Sequence, residues 1–355
     1  MKKKVLYITN LPAPYKVEFF NELGKYVELT VIFERASAKN RNKTWISSLK
    51  EKRYNEIWLS GLNFGNEMCL DLSIIDHLKR SRNHLVLING YSSPTEMTAI
   101  LYMKLHKMKF GLVCDGLLRK KESTVKEFLK KALISAASFW MSSGEGADEV
   151  LVAHGAEYSR IFRYPFTSIR ESDIASVPYN KKYYKDLIGC NSKYMLLYVG
   201  QMIHRKGIDI LDAAVQGMDI DIKLYLIGGS TSASSEKIVN IGFMDKSTLK
   251  NYYMAADLFV LPSREDIWGL VINEAMGYGV PVIATNQCGA ALEMIEEGRN
   301  GAIVPVENTS ALREKIVSFL QNLDAESTMS YTTEKAKNYT IEKMAKCTWE
   351  AISQW

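Results

Sequence analysis

Two carboxylates in the second half of the chain flank a helix start, where they could accept hydrogen bonds from the hydroxyl groups of a ligand whose anionic part rests on the helix N–H groups. Asp266 and Glu274, with seven residues between them, flank the segment Ile267-Trp268-Gly269-Leu270. An apolar run ends at Pro262, a polar turn follows, and a helical pattern begins near Gly269. The free N–H groups at such a helix start, reinforced by the helix dipole, form an anion site that suits a diphosphate. Glu274, one to two turns into the helix, can accept two hydrogen bonds side by side from a pair of ribose hydroxyls. Asp266, in the turn, is placed to accept from the hydroxyls of a sugar.

The elements that must hold these residues are legible as alternating runs. Short apolar β-rich stretches at 5–9, 29–33, 56–59, 85–88, 110–114, 138–141 and 161–164 alternate with helical patterns at 15–23, 94–106 and 145–154. From about residue 164 the rhythm lapses into Pro165, Pro178 and repeated Tyr and Lys. It restarts with strands at 194–199, 222–227, 258–261, 280–284 and 302–304, and helices at 207–215, 246–255, 270–278, 310–323 and 340–355. Strands alternating with helices imply parallel strands joined by crossovers. The division expected is a first domain over 1–165, a linker over 166–190, a second domain over 191–339 and a C-terminal helix over 340–355, packing back on the first domain. Open sheets of this kind bind ligands at the carboxyl ends of their strands, so a cleft between the two domains is the expected site.

A chain of 355 residues with 47% hydrophobic and 24% charged residues suits two globular cores. The opening apolar run breaks at Thr9 and Asn10, and the stretch 132–141 is too short to span a bilayer, so neither a signal peptide nor a transmembrane helix is expected. Five scattered cysteines without a CxxC pair suit a reducing cytosol, and five dispersed histidines offer no helical metal site. Residues 1–170 carry 27 Lys and Arg against 17 Asp and Glu, whereas residues 171–355 carry 18 against 23. The basic half should therefore meet something anionic. Its clusters, Lys104/Lys107/Lys109, Arg119/Lys120/Lys121 and Lys126/Lys130/Lys131, are interleaved with Leu, Met and Phe. That pattern suits a membrane surface carrying anionic lipid, or a phosphorylated acceptor. The solvated face of ordinary helices accounts equally well for any one cluster.

The segment Asp266-Ile267-Trp268-Gly269, then Glu274-Ala275-Met276, then Gly279-Val280-Pro281-Val282-Ile283 resembles the retaining glycosyltransferases of family 4. The family usually has Glu where Asp266 stands. Glu265 and Asn273 share the same separation, but the spacing to Gly269 and Glu274 selects Asp266. The resemblance implies a GT-B architecture: α/β, two Rossmann-like doubly wound parallel-sheet domains with an interdomain cleft. It implies Asp266, Ile267, Trp268, Gly269, Leu270 and Glu274 on the donor. A second match, Gly200-Gln201-Met202-Ile203-His204-Arg205-Lys206-Gly207, implies Lys206 and Arg205 on the donor diphosphate, where cations stabilise the charge that grows as the glycosidic bond breaks. Gln201 stands where the family often has a further Arg, and Gly242 and Phe243 match the segment around the nucleobase. In the first half, Pro14, Tyr15 and Lys16 follow the first strand, Tyr91 follows the fourth, and Asp115, where relatives often have His, follows the fifth. These five are the acceptor-side candidates. Asp266, Lys206 and Asp115 are the candidates for catalysis, although a turn-forming role explains Asp115 as readily.

The expected activity is transfer of a sugar from a nucleotide-sugar, with a UDP-sugar as first guess, to a glycan or lipid-linked glycan in cell-surface polysaccharide synthesis. The nucleotide-sugar is a substrate; no cofactor, metal or nucleic-acid partner is expected. Asp219-Ile220-Asp221 precedes a strand, at the end away from the cleft, and reads as a solvated loop. The expected place is the cytoplasm, with peripheral contact to the inner face of the membrane. A nucleotide-sugar epimerase of the same fold would need an acid/base pair at the sugar, and no paired His or His-carboxylate is visible. A nicotinamide dehydrogenase lacks its GxGxxG fingerprint. A non-catalytic nucleotide-sugar sensor stays open.

Overall fold

Apolar runs without polar interruption become strands buried on both faces, and such strands pair in parallel under covering helices. The protein is described by a computed structural model covering residues 2–36, 51–64, 68–117, 123–229 and 235–355. The basic cluster Arg119/Lys120/Lys121 lies outside the described residues. The chain divides into two compact units, one of residues 1–167 with 341–355, the other of residues 168–340.

The first unit runs β1 (Lys4–Thr9), α1 (Pro14–Leu23), β2 (Glu28–Phe33), β3 (Asn55–Trp58), β4 (Leu62–Phe64), β5 (Met68–Leu70), α2 (Ile74–Arg80), β6 (Leu85–Asn89), α3 (Pro94–Leu105), β7 (Phe110–Cys114), α4 (Thr124–Ile134), β8 (Phe139–Ser142), α5 (Glu145–Ala153) and β9 (Ile161–Arg163). Its main sheet is parallel in the order β3-β2-β1-β6-β7-β8-β9, and β4 and β5 form a separate antiparallel pair. Every residue of β6 and β7 is buried. Pro14 opens α1, where its missing N–H costs nothing. At α3, Ser93 and Glu96 close a capping box that satisfies the first orphan N–H groups.

The second unit runs α6 (Lys181–Leu187), β10 (Tyr194–Val199), α7 (Ile208–Gln216), β11 (Ile222–Ile227), β12 (Ile238–Ile241), α8 (Lys246–Ala255), β13 (Leu258–Leu261), α9 (Leu270–Gly277), β14 (Val282–Thr285), α10 (Gly289–Met294), β15 (Gly301–Val304), α11 (Thr309–Gln321) and α12 (Ala325–Ala336). Its sheet is parallel in the order β12-β11-β10-β13-β14-β15. Part of the expected linker is thus built structure: α6 packs on α8, and residues 168–190 group with the second unit. The expected strand and helix positions differ from the observed ones by one or two residues at most ends.

A last helix, α13 (Ile341–Ser353), packs on α1. Trp349 stacks on Tyr26 at 5.3 Å between ring centroids, Trp355 stacks on Phe139 at 5.0 Å, and the Lys3 ammonium donates to the Ile352 carbonyl at 2.7 Å. Ile341, Ala345 and Ile352 are fully buried there. Ile352→Ala should lower unfolding stability by about 2–5 kcal/mol, the usual cost of truncating a buried Ile. Urea denaturation checks this, and an unchanged midpoint would show that α13 is not part of the core.

Candidate functional site

Each sheet changes winding direction once. In the first unit the chain lays β2 and β3 on one side of β1, then β6 to β9 on the other; in the second, β11 and β12 flank β10 on one side and β13 to β15 on the other. Where direction reverses, the loops after the two neighbouring strands diverge and leave a crevice at their carboxyl ends. Lys206 and Asp266 follow β10 and β13, the two strands at the second unit's reversal. They form an ion pair in which both side chains are largely shielded from water.

The backbone around this pair is held by a few contacts. Gly207, at φ +69°, lets the 204–206 turn run into α7, and a Cβ there would lie 2.1 Å from the Pro262 carbonyl oxygen. Gly269, at φ +93°, ends the 263–268 loop and starts α9; a Cβ there would meet Cys288 Sγ at 2.6 Å. Both positions need glycine for conformation and for space. Arg264, which no motif marks, ties the two loops. Its guanidinium forks onto both carboxylate oxygens of Asp209 at 2.8 and 2.7 Å, reaches Glu307 at 2.8 Å and donates to the His204 carbonyl. Those bonds hold the Asp209 carboxyl below its ordinary range. A bidentate Arg–carboxylate pair fixes geometry as well as charge. Arg205 donates to the Glu265 carbonyl at 2.8 Å while its side chain stays on the exposed side of the same turn.

Glu274, in α9, is half-buried. Its two oxygens accept from Ser168 Oγ at 3.1 Å and Tyr253 Oη at 3.0 Å. Burial raises its carboxyl above the usual value, and the two hydrogen bonds oppose that rise. Tyr253 is in turn stacked on Tyr278 at 5.3 Å. Neither Ser168 nor Tyr253 is marked by the motif, because their partnership with Glu274 is a product of the fold. Gln201 follows β10 and is exposed, Gly242 and Phe243 follow β12, with no atom within 4 Å of a Gly242 Cβ and Phe243 59% exposed, and Leu270 is half-buried at the first position of α9. All therefore lie on the edge that carries Lys206. Trp268 departs from its expected place on a ligand: its side chain is buried against Tyr339 and its indole N–H donates to Asn273 Oδ1 at 2.9 Å. Ile267 is exposed beside it. Asp221 sits at the other end of the sheet, where its carboxylate accepts from the Lys193 amide and its carbonyl from the Tyr194 amide at the start of β10. Among the described residues no three His, Cys, Asp or Glu side chains cluster to hold a metal ion.

The first unit repeats the arrangement. Lys16, in α1, is buried at the reversal between β1 and β6, and its ammonium donates to Thr9 Oγ1 at 2.7 Å, Asn89 Oδ1 at 2.5 Å and Asn10 Oδ1 at 3.1 Å. Asp115 Oδ2 lies 3.9 Å away, and Asp115 Oδ1 accepts from Tyr164 Oη at 2.7 Å. Tyr15 packs edge-on to Phe166 at 5.5 Å, Pro14 begins α1, and Tyr91 follows β6 half-buried. Behind Lys16 lies an acid pair that the spacing did not disclose. Glu96 accepts from the Ser92 and Ser93 amides at 2.7 and 2.9 Å, while the Ser93 hydroxyl donates to Glu34 Oε1 at 2.6 Å. Burial, then the neighbouring Glu34 charge, pushes the Glu96 carboxyl up to about 7, and burial raises Glu34 as well.

Two parallel-sheet α/β units, each with a polar crevice at its reversal, are the architecture of GT-B glycosyltransferases. Over 99% of this chain and 100% of the other, the fold matches HepE of Anabaena solved with UDP, at a TM-score of 0.79 and 13% identity. Residues 193–322 match the sequence model of the glycosyl transferases group 1. An uncharacterized glycosyltransferase of Methanocaldococcus jannaschii is 26% identical over 294 residues, 76% of this chain and 80% of its own. The lipopolysaccharide core biosynthesis mannosyltransferase LpsB of Rhizobium meliloti is 24% identical over 273 residues, 70% and 74% of the two chains. The matched stretch lies within the second unit and includes the Lys206–Asp266 pair.

The acid pair has a measurable consequence. A carboxyl near 7 in the folded chain and at its ordinary 4.5 when unfolded binds its proton more tightly when folded. The stability this contributes is complete below the unfolded value and is lost as pH rises through the folded one. Glu96→Gln should therefore gain on wild type by several degrees of Tm between about pH 4 and about pH 8. Parallel Tm curves for the two proteins would count against a buried, proton-holding Glu96.

Proposed function

We propose that this glycosyltransferase moves a sugar from a nucleoside diphosphate sugar, a UDP-sugar being the first donor to try, to a hydroxyl of a glycan or lipid-linked glycan, with retention and without a metal. The observation that carries the reading is the Lys206–Asp266 pair at the reversal of the matched domain, with the Glu274 carboxylate on the next helix. Support for the donor comes from HepE, solved with UDP, and support for a cell-surface polysaccharide role from LpsB, a lipopolysaccharide core enzyme by name.

The ion pair holds both side chains in place before the donor arrives. A diphosphate entering the crevice competes with Asp266 for the Lys206 ammonium, and the carboxylate so released accepts hydrogen bonds from the sugar hydroxyls. Arg205 adds a second cation at the same turn, and the first N–H groups of α9 add oriented dipoles. Glu274, held by Ser168 and Tyr253, accepts from the ribose hydroxyls. In transfer the bond from the anomeric carbon to the phosphate oxygen breaks, the bond to the acceptor oxygen forms on the same face, and the acceptor proton passes to the leaving diphosphate. Lys206 and the α9 amides stabilise the charge that develops on that diphosphate. In the first unit, Asp115, oriented by Tyr164 and Lys16, accepts from the acceptor hydroxyl. The tasks are positioning and charge stabilisation, with no carboxylate nucleophile required.

Lys206→Ala and Glu274→Ala should each lower kcat by about 10²–10³ with the circular dichroism spectrum unchanged. A panel of nucleotide-sugars scored for slow sugar release and for transfer checks this; near-wild-type rates in both variants would overturn the site, and tight binding without turnover would make the protein a sensor. Because burial raises the Glu274 carboxyl, donor affinity should weaken on acidification at a higher pH than for an ordinary Glu. Calorimetric titration of UDP across pH reads the effect, and the Glu274→Gln variant should show a flatter profile.

A further inference from the structure

The turn after β10 and the loop after β13 are stitched together residue by residue. The Arg264 amide donates to the Arg205 carbonyl at 2.9 Å, the Arg264 guanidinium to the His204 carbonyl at 2.8 Å, and the Arg205 guanidinium to the Glu265 carbonyl at 2.8 Å. The Lys206–Asp266 ion pair is a further tie between the same two segments. Arg264 is the centre of this seam. Four of its five guanidinium N–H groups bond inside the second unit: one to His204, two to the Asp209 carboxylate and one, from Nε, to Glu307 Oε1 at 2.8 Å. A guanidinium so fully bonded has little left to offer a ligand.

Glu307 reaches the seam from a third segment, the turn between β15 and α11. Its backbone is left-handed, with φ +60°. A Cβ in that region crowds the chain, so the conformation favours glycine and, less strongly, asparagine or aspartate. Any other residue stays there only where its surroundings hold it. Here its neighbours on both sides are tied: the Val306 amide donates to Asn286 Oδ1 at 3.3 Å, and Asn308 caps α11 through the Ala311 amide at 2.9 Å. Glycine would suit this turn better than glutamate. An ion pair whose carboxylate side chain is 62% exposed adds little to stability. Neither the backbone nor stability accounts for a glutamate at 307, whereas its bond to Arg264 gives it a task.

We propose that Glu307 and Asp209 are positioning residues for sugar transfer: they grip Arg264 from two sides and, through it, keep the turn that carries Lys206 and the loop that carries Asp266 in register. Their task presupposes the transfer proposed for this crevice, in which the donor diphosphate draws Lys206 away from Asp266. That exchange opens the one tie made by the reacting side chains themselves. The ties through Arg264 and Arg205 remain, and they alone then fix the distance between the cation on the leaving diphosphate and the carboxylate on the sugar. A shift of a fraction of an ångström between such groups lowers rate much more than it lowers binding. Neither Glu307 nor Asp209 needs to touch the donor for this.

The test uses variants of the full chain that keep the left-handed turn and remove its grip. Glu307→Gly and Glu307→Asn should hold or raise Tm, while kcat falls about tenfold and donor KM stays within about threefold of wild type. Asp209→Asn, at an exposed carboxylate, should lower kcat to a similar extent. In an Arg264→Met background Glu307→Gly should lower kcat no further, because both changes act through one bond. Independently of turnover, peptides covering residues 203–208 and 262–268 should exchange their amide hydrogens faster in Glu307→Gly than in wild type. An unchanged kcat in both Glu307 variants would overturn the positioning role. So would a fall in kcat matched by a fall in Tm, which a purely structural contact produces, or an undiminished effect of Glu307→Gly in the Arg264→Met background. If wild type turns over no donor, the proposed activity fails and hydrogen exchange alone decides: faster exchange in the two peptides supports the grip of Glu307 on the two loops, and unchanged exchange removes it.

Discussion

The reversal of winding direction in each sheet is the constraint on which the functional architecture rests. A parallel sheet buried on both faces has no room for polar chemistry within it, so polar side chains gather where two loops part at the strand ends. In both units a lysine downstream of the central strand is drawn to oxygen ligands from across the gap: Lys16 to Asn89 and Asp115, Lys206 to Asp266. A shielded ammonium is tolerated only when such partners are supplied. The same requirement makes each crevice a place where an incoming anion or hydroxyl finds groups already oriented, since exchanging one oxygen ligand for another costs far less than stripping water from a free cation.

The sequence disclosed the strands well because their residues are buried on both faces and read as unbroken apolar runs, as at Leu85–Asn89 and Phe110–Cys114. It disclosed the helices unevenly. No residue of α6 is buried, so no apolar stripe marks it, and the buried face of α12 is built from Thr328, Thr332 and Thr333 beside Met329 and Ala336, which looks polar in one dimension. The small β4–β5 pair is largely exposed and the edge strand β12 buries only Ile238 fully, so both carry little pattern. The site followed the same logic. Lys206, Asp266 and Glu274 sit in a motif of fixed local spacing, whereas Arg264, Tyr253 and Ser168 matter through partners far along the chain. Trp268 shows the converse case: within the motif its ring packs against Tyr339 and its indole N–H bonds to Asn273.

The two crevices differ in how they keep charge. Around Lys206 the balance is met by fully formed ion pairs, with Arg264 forked on Asp209 and bound to Glu307. Around Lys16 neutral amide and hydroxyl oxygens take most of the ammonium's bonds, and the nearby Glu34 and Glu96 both have raised carboxyls. The first arrangement suits exchange of a carboxylate for a diphosphate of like charge. The second suits hydroxyl groups, which offer dipoles and accept or give a proton without importing net charge. Asp115, half-buried and tied to Tyr164, is the link between the two kinds of group in that crevice.

The first unit is discontinuous in sequence: its sheet is complete by Arg163, but the helix that covers α1 begins only at Ile341, after the whole of the second unit. On a ribosome, the apolar side of α1 near Tyr26 therefore waits uncovered while the intervening residues are made. Its lasting burial comes only when residues 341–353 have emerged and Trp349 can reach Tyr26. The second unit is under no such delay, since every strand of its sheet lies within one unbroken stretch. Synthesis from N- to C-terminus thus lets the later-made half mature first, leaving the earlier-made half to close around a helix delivered last.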